Sequence, residues 1–383
     1  MKSPLPIIVL AQFCCTSVWF AGNAVMGDLM ATFGLPETAV GSVTSAVQIG
    51  FIVGTLVFAV LSIADRFSPS KVFFFSAFAA ALSNLSATLE VNTFYTLLSG
   101  RFLTGFFLAG IYPIGMKIAA DYYREGLGRS LGFLVGALVL GTAFPHLVKG
   151  IGGALSWELI LYFTSGIAAL GGLLMWLLVP DGPHRRAGLG VELTSFLKVF
   201  QRKPFRAAAF GYFGHMWELY AFWAFTPVWL LAYFERSASG GTISVYAFEI
   251  IAVGALACVG AGYLSGKLGV KRTATLALTA SGVCCLLSPI FFLAPPCLFL
   301  PFLLFWGMVV VADSPLFSTL VAGSADPQIK GTALTIVNCI GFAITIFSLQ
   351  LLSNALGWVE PRWLFLFLLP GPVLGVLGVG RHE

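Results

Sequence analysis

RFLTGFFLAGIYPIGMKIAADYYREGLGRSLG, residues 101–132, is the stretch that decides the fold. It predicts an apolar helix that carries two cations, Arg101 and Lys117, and that bends near Gly110 and Pro113. A charged side chain in hydrocarbon is costly and persists mainly where it meets a partner or a water-filled cavity. Because the two cations fall on nearly opposite helix faces, we expect this helix to lie between a protein interior and a polar pathway.

The composition of the whole chain is that of an integral membrane protein. Of its 383 residues, 58% are hydrophobic and 10% are charged, whereas soluble domains carry about 25% charged residues. Scattered basic residues without a basic face argue against nucleic-acid binding, and cysteines inside apolar runs are typical of hydrophobic filler. Windows of membrane-spanning length predict an all-α membrane protein with twelve helices, at 7–27, 38–61, 72–90, 93–119, 130–150, 157–179, 207–232, 243–264, 273–293, 298–322, 331–354 and 363–380.

A polar, basic linker at 180–206 divides these helices six and six, into an N-terminal bundle at 1–179 and a C-terminal bundle at 207–383. Within the linker, residues 192–201 are expected to form a short amphipathic helix on the membrane surface. If the N-terminus is cytoplasmic, the inner segments hold sixteen Lys and Arg residues and the outer loops only three. The positive-inside rule therefore predicts a multi-pass protein of the cell inner membrane with both termini in the cytoplasm.

The two halves repeat each other in sequence. Asp65, in the loop after helix 2, aligns with Gly266, after helix 8, at an offset of about 201 residues. The segment that starts at Pro113 in helix 4 aligns with the one that starts at Pro315 in helix 10, at an offset of about 202 residues. Two landmarks with nearly the same offset predict a duplicated six-helix unit and hence two pseudo-symmetric bundles.

Three short motifs stand out in the two halves. They are Ala64-Asp65-Arg66-Phe67 with Lys71 in the 2–3 loop, Arg101 and Gly105 in helix 4, and Gly262-Tyr-Leu with Leu268-Gly269-Val-Lys271-Arg272 in the second copy of the loop. In these motifs the chain resembles the major facilitator superfamily, and the resemblance covers its whole length. Helix 5 lacks the Gly-Pro pattern of proton-linked drug antiporters in that family.

The resemblance implies two six-helix bundles around a midplane cavity lined mainly by helices 1, 4, 7 and 10. It also implies a gate at the 2–3 loop, in which Asp65 faces the start of helix 11; the alternative is an ordinary loop ion pair. A carboxylate at a helix N-terminus gains roughly 0.3–1 kcal/mol, which suits a latch that opens repeatedly. The expected gating residues are Asp65, Arg66, Lys71, Arg129 and Gly331.

The cations of helix 4 are candidates for binding an anionic group of a solute. The guanidinium of Arg101 suits two parallel hydrogen bonds to an oxyanion. The alternatives are a structural ion pair and a cation that snorkels outward. Lys117 shares a face with the expected bend, although it is near enough to the helix end to snorkel. Further candidates for lining a solute cavity are the aromatic or polar residues Trp19, Asn23, Tyr112, Phe222 and Trp223.

Acidic groups of the second half are candidates for carrying a proton. His215 and Glu218 are three residues apart on helix 7 and therefore share a face; a buried carboxylate beside an imidazole suits proton exchange. The alternatives are two metal ligands, or a charge-paired structural glutamate with a hydrogen-bonded histidine. Asp313, just before Pro315 in helix 10, would supply an anion, with a structural partner of Arg101 or Lys117 as the alternative. Glu249 in helix 8 is a weaker candidate because solvent near the outer surface can reach it.

These observations predict a secondary active transporter, not an enzyme, since no nucleotide loop or catalytic motif is present. It is expected to move a small polar or anionic solute together with a proton by alternating access, as a monomer in the lipid bilayer, without a cofactor or resident metal. One alternative is efflux of a hydrophobic cation, a drug or a metal ion. A remote alternative is a membrane sensor that transports nothing.

Overall fold

The computed structural model describes residues 4–123, 127–152, 155–185, 200–237, 242–325 and 330–381. All regular secondary structure within these ranges is helical, and nine of the described helices are long and apolar enough to cross a membrane. The chain divides into two compact units, Met1–Gly190 and Val191–Glu383. Most of the amphipathic helix expected at 192–201 lies outside the described residues.

The first unit contains helices 1 to 6. Helix 1 is broken into three segments, and helix 4 into two. The bounds are Leu5–Thr16, Ala21–Ala24 and Met26–Phe33 for helix 1, Ala39–Val60 for helix 2, Pro69–Leu85 for helix 3, Phe94–Leu108 and Tyr112–Tyr122 for helix 4, Leu127–Gly152 for helix 5, and Trp157–Leu178 for helix 6.

The second unit contains helices 7 to 12. Helix 10 is broken, and helix 12 begins with eight residues of 3₁₀ geometry. The bounds are Lys203–Ser237 for helix 7, Ile243–Leu268 for helix 8, Val270–Phe291 for helix 9, Pro296–Ala312 and Ser314–Ser324 for helix 10, Lys330–Ala355 for helix 11, and Pro361–Leu368 followed by Pro370–Arg381 for helix 12.

Helices 4 and 10 are broken at equivalent places. The second segment of helix 4 begins at Tyr112 and that of helix 10 at Ser314, each with proline at its second position. Proline lacks an amide hydrogen and clashes with the preceding turn, so it ends one helical segment and suits the start of the next. The offset of 202 residues that the sequence indicated therefore reappears as a shared break in the backbone.

Glycines bring paired helices together at the same offset. A Cβ added to Gly105 of helix 4 would lie 1.9 Å from the carbonyl oxygen of Val47 on helix 2, and one added to Gly307 of helix 10 would lie 1.9 Å from that of Ile250 on helix 8. Such close backbone approach is how small residues stabilise helix pairs inside membranes, where lipid provides no hydrophobic drive for association. Gly105 thus has a packing function in its own half, and Gly307 has the same function in the other.

We expect Gly105→Ala to destabilise the protein, because the added methyl group must push helix 2 away from helix 4. Overpacking of this kind costs about 1–3 kcal/mol. Gly166→Ala is the matched control, since a Cβ at Gly166, within helix 6, meets no atom within 4 Å. Thermal melting of the purified protein in detergent should show a lower midpoint for the Gly105 variant alone. Equal midpoints for the two variants would contradict the close packing of helices 2 and 4.

Candidate functional site

The break in helix 1 is held by the side chain of Arg101. Arg101 is only 2% exposed, and its Nη2 donates to the carbonyl oxygens of Trp19 at 2.5 Å and Val18 at 3.2 Å. These carbonyls lie between two helical segments, where no intrahelical partner is available. Gly22 leaves room for the guanidinium, since a Cβ there would lie 3.2 Å from its Nε. Arg101 therefore caps an interrupted helix.

The same guanidinium connects helix 1 to helices 3 and 6. Its Nη1 donates to Oδ1 of Asn84 at 2.9 Å, and Nδ2 of Asn84 donates to Ser165 Oγ at 3.0 Å. All three side chains are buried. This geometry favours a structural function for Arg101 over an oxyanion site, because its two terminal nitrogens already donate to neutral protein oxygens. Sequence reasoning missed Asn84, whose only signal was a polar residue within an apolar window.

Polar and aromatic side chains surround the broken helix 1. Trp19 packs on Phe51 of helix 2 and on Tyr112 of helix 4, with ring centroids 4.9 and 6.5 Å apart. One turn along helix 1, Asn23 Nδ2 donates to Thr44 Oγ1 at 2.8 Å. Three of the predicted cavity residues, Trp19, Asn23 and Tyr112, thus lie in one region of the first unit.

Gln48 belongs to the same region, although the sequence analysis did not single it out. It lies four residues after Thr44 and three before Phe51, so it shares their face of helix 2, towards helix 1. Gln48 is fully buried, and neither of its amide atoms has a hydrogen-bond partner among the described residues. Buried amides normally have partners in the protein or in bound water. An unsatisfied amide beside aromatic rings is a feature of sites that receive a polar ligand.

Lys117 lies in an ion-pair cluster at the end of helix 4. Its Nζ is 3.2 Å from Asp65 Oδ1 and 3.7 Å from Asp121 Oδ2, four residues further along the helix. The Lys117 side chain is 25% exposed. Asp65, predicted as a gating residue, therefore has an ionic partner within its own half. Lys117 is already paired with two carboxylates of the protein.

The other predicted gating residues lie at the ends of helices. Arg66 and Lys71 are exposed on either side of the start of helix 3, and Gly331 is exposed near the start of helix 11. The side chain of Arg129 falls outside the described part of the chain. The gating function of these residues stays a prediction.

In the second unit, Glu218 accepts hydrogen bonds from three other side chains. Its Oε1 receives Ser281 Oγ at 2.5 Å, Trp306 Nε1 at 2.7 Å and Cys285 Sγ at 3.4 Å. Glu218 is 1% exposed, and these donors come from helices 9 and 10. The carboxyl group is therefore solvated by neutral donors, with no cation within salt-bridge distance among the described residues. No pattern in the sequence indicates that Ser281 and Trp306 contact Glu218.

His215 pairs with Asp313 rather than with Glu218. The distance from His215 Nδ1 to Asp313 Oδ1 is 2.8 Å, and both side chains are almost completely buried. Asp313 stands at the break of helix 10, between Ala312 and Ser314. An imidazole in contact with a carboxyl group in a dry interior is an arrangement that can hold or pass a proton.

The remaining predicted residues of this half have other surroundings. Phe222 is fully buried and packs on Trp306 and Phe365, with ring centroids 4.9 and 5.6 Å apart, which indicates an aromatic core. Trp223 is also buried and contacts Tyr220. Glu249 is exposed. Within the part of the chain that the structure describes, no three His, Cys, Asp or Glu residues are arranged to hold a metal ion.

The fold and the buried ionisable groups define a multi-pass membrane protein made of two related six-helix units. Residues 8–349 match the model of the Major Facilitator Superfamily, and the chain belongs to this family.

Individual relatives match less of the chain. A probable sugar efflux transporter of Helicobacter pylori is 25% identical over 201 residues, which are 50% of this chain and 49% of that protein. A gallate transporter of Pseudomonas putida is 30% identical over 187 residues, 45% of this chain and 40% of that protein. The matches span less than half the length of these curated relatives. The structure of the proton:xylose symporter XylE, 13% identical, superposes with a TM-score of 0.76 over 98% of this chain and 94% of that one, which shows the shared fold.

Proposed function

We propose that the protein is a secondary active transporter that moves a small polar solute across the inner membrane by alternating access, coupled to a proton. Membership of a transporter family supports the general class. The observation that carries the coupling is the buried His215–Asp313 contact at the break of helix 10. Ionisable groups within membrane spans mark ion and proton pathways. Both termini are assigned to the cytoplasm on the distribution of Lys and Arg.

In this proposal, Asp313 with His215 is the main proton carrier and Glu218 is the second. Asp313 lies where the helical hydrogen bonding of helix 10 is interrupted, so a change in its charge acts directly on a break in the backbone. Glu218 is held by side chains of helices 9 and 10, and gain or loss of its proton would change which of these hydrogen bonds persist. Each group thus connects a protonation event to the packing of the second half.

The proposed solute is uncharged and carries hydroxyl groups. Arg101 and Lys117, the cations expected to attract an anion, already bind protein oxygens. Gln48 retains unsatisfied amide donor and acceptor atoms on the face of helix 2 whose Thr44 and Phe51 contact Asn23 and Trp19. Amides together with an aromatic ring suit a polyhydroxylated molecule. The name of the Helicobacter pylori relative, a probable sugar efflux transporter, agrees with this chemistry. The name of the gallate transporter makes an aromatic carboxylate the competing solute.

Uptake into proteoliposomes tests this proposal. We expect sugars to accumulate only when a pH gradient is imposed, and gallate-like carboxylates not to accumulate. Gln48→Leu should raise KM for the sugar about tenfold, since a lost buried hydrogen bond costs about 1–1.5 kcal/mol, while Gln201→Leu, at an exposed position, should leave KM unchanged. Sugar uptake that is independent of the pH gradient would contradict proton coupling. Uptake of carboxylates but not of sugars would contradict an uncharged solute.

A further inference from the structure

A groove on the first unit combines basic and aromatic residues. It has a volume of about 620 Å³ and is formed by helices 2, 3 and 4 with the 2–3 loop. Its two basic residues are Arg66 and Lys71, and its aromatic wall is formed by Phe58, Phe67, Phe75 and Phe107.

The two cations of the groove are available to a ligand. Neither Arg66 nor Lys71 has an ion-pair partner among the described residues, and both are exposed. The nearby charges are already paired. Lys117 binds Asp65 and Asp121, and Arg185 binds Asp181 at 2.5 Å and also donates to the carbonyl oxygen of Phe67 at 2.7 Å. A positive pair of charges therefore remains at the polar end of an apolar groove.

The aromatic residues of the groove are suited to hydrocarbon. Phe67 and Phe75 are 61% and 64% exposed, so their rings are accessible to an acyl chain. Phe58 and Phe107 continue the apolar wall along helices 2 and 4. Lys71 lies in the first turn of helix 3, which begins at Pro69, so the free amide groups of that helix end add to the positive potential.

We propose that this groove binds one anionic phospholipid, with the phosphodiester on Arg66 and Lys71 and an acyl chain along the phenylalanines. Charge complementarity selects the occupant. A zwitterionic lipid would bring a third cation to a site that already holds two, whereas an anionic headgroup neutralises them. The acyl chain distinguishes a lipid from a free phosphate, which has nothing to place on the aromatic wall. This proposal concerns a lipid site on one half and does not depend on the transported solute.

Native mass spectrometry of the whole protein with added phosphatidylglycerol or phosphatidylcholine tests the site. The variant Arg66→Gln/Lys71→Gln should bind phosphatidylglycerol about thirtyfold more weakly, given the attraction of each of the two basic residues for anionic lipid, and should bind phosphatidylcholine as before. The control is Lys267→Gln/Arg272→Gln, which removes the same charge at the positions 201 residues further along the chain. We expect the control to retain phosphatidylglycerol at the level of the unmodified protein.

Three results would overturn the proposal. An equal loss of phosphatidylglycerol binding in both variants would mean that the lipid is attracted to the basic surface in general and not to this groove. Undiminished binding in the Arg66 and Lys71 variant would mean that the lipid lies elsewhere. Displacement of the lipid by inorganic phosphate would mean that the acyl chain is not held. Phe75→Ser, at an exposed position, should weaken the binding of both lipids to a similar degree. Unchanged binding of both lipids would show that the aromatic wall does not contact the acyl chain.

Discussion

Replacement of Arg101 by Gln is expected to destabilise the protein rather than to weaken solute binding. The carbonyl oxygens of Val18 and Trp19 would lose their donor in a buried region, at a cost of roughly 1–3 kcal/mol for each acceptor. The melting midpoint should fall by roughly 5–10 °C on the scale established for soluble domains. The melting midpoint of Arg101→Lys should be intermediate. Lysine keeps the charge, but its single ammonium group cannot donate to helix 1 and helix 3 at the same time as the planar guanidinium does.

Fluorescence-detected size-exclusion chromatography after heating measures this difference in crude detergent extracts. The control is Arg236→Gln, in the last turn of helix 7. Within the described part of the chain, the hydrogen bond of this exposed arginine is a long one, 3.5 Å to the Phe292 carbonyl oxygen. We expect the control to melt with the unmodified protein. If the Arg101→Gln protein were as stable as the control but bound solute poorly, Arg101 would be a solute ligand after all.

The second large effect is expected for Asp313→Asn. This substitution keeps the size of the side chain and its contact with His215 while removing the exchangeable charge. Uptake driven by a pH gradient should disappear, whereas exchange of labelled for unlabelled solute across the membrane, which needs no net proton movement, should continue. The two assays can be run on the same proteoliposomes, so a folding defect would be recognised by the loss of both.

Glu249→Gln is the matched control for Asp313→Asn. Glu249 is also an acidic residue on a membrane-length helix of the second half, but it is exposed. We expect the control to accumulate solute normally. Gradient-driven accumulation at the normal level by the Asp313→Asn protein would show that the proton travels by another route. Loss of accumulation in both variants would show that the effect comes from charge removal in general.

The sequence predicted well the features that depend on local chemistry and repetition. Pro113 and Pro315 mark breaks in helices 4 and 10, because proline cannot continue the hydrogen bonding of a helix whatever surrounds it. The spacing of 202 residues also relates Gly105 to Gly307. Gly105 packs against helix 2, and Gly307 packs against helix 8, the equivalent helix of the other half. Such features need no knowledge of distant contacts.

Partners chosen by tertiary packing could not be predicted. The helical period placed His215 and Glu218 on one face, but His215 contacts Asp313 and Glu218 contacts Ser281 and Trp306. Sequence spacing gives the direction of a side chain and leaves open which neighbouring helix meets it. Lys117 likewise has Asp65, 52 residues earlier in the chain, as its nearest acidic contact.

The break in helix 1 is the clearest example of a feature that the sequence alone could not predict. Residues 17–20 read Ser-Val-Trp-Phe and contain neither proline nor glycine, so the local sequence predicts a continuous helix. The interruption is stabilised from outside by Arg101, which supplies donors to the exposed carbonyls. Only the positions of helices 1 and 4 in the folded half bring these groups together.

Infrared difference spectroscopy of the carboxyl groups is the most direct measurement of the central claim, that buried carboxyls of the second half carry the proton. Spectra would be recorded on the reconstituted protein as the pH is stepped, with and without a transported solute. The account predicts protonated-carboxyl bands that change with solute, one of them absent in the Asp313→Asn protein and another absent in the Glu218→Gln protein. Identical bands in the unmodified protein and both variants would contradict it.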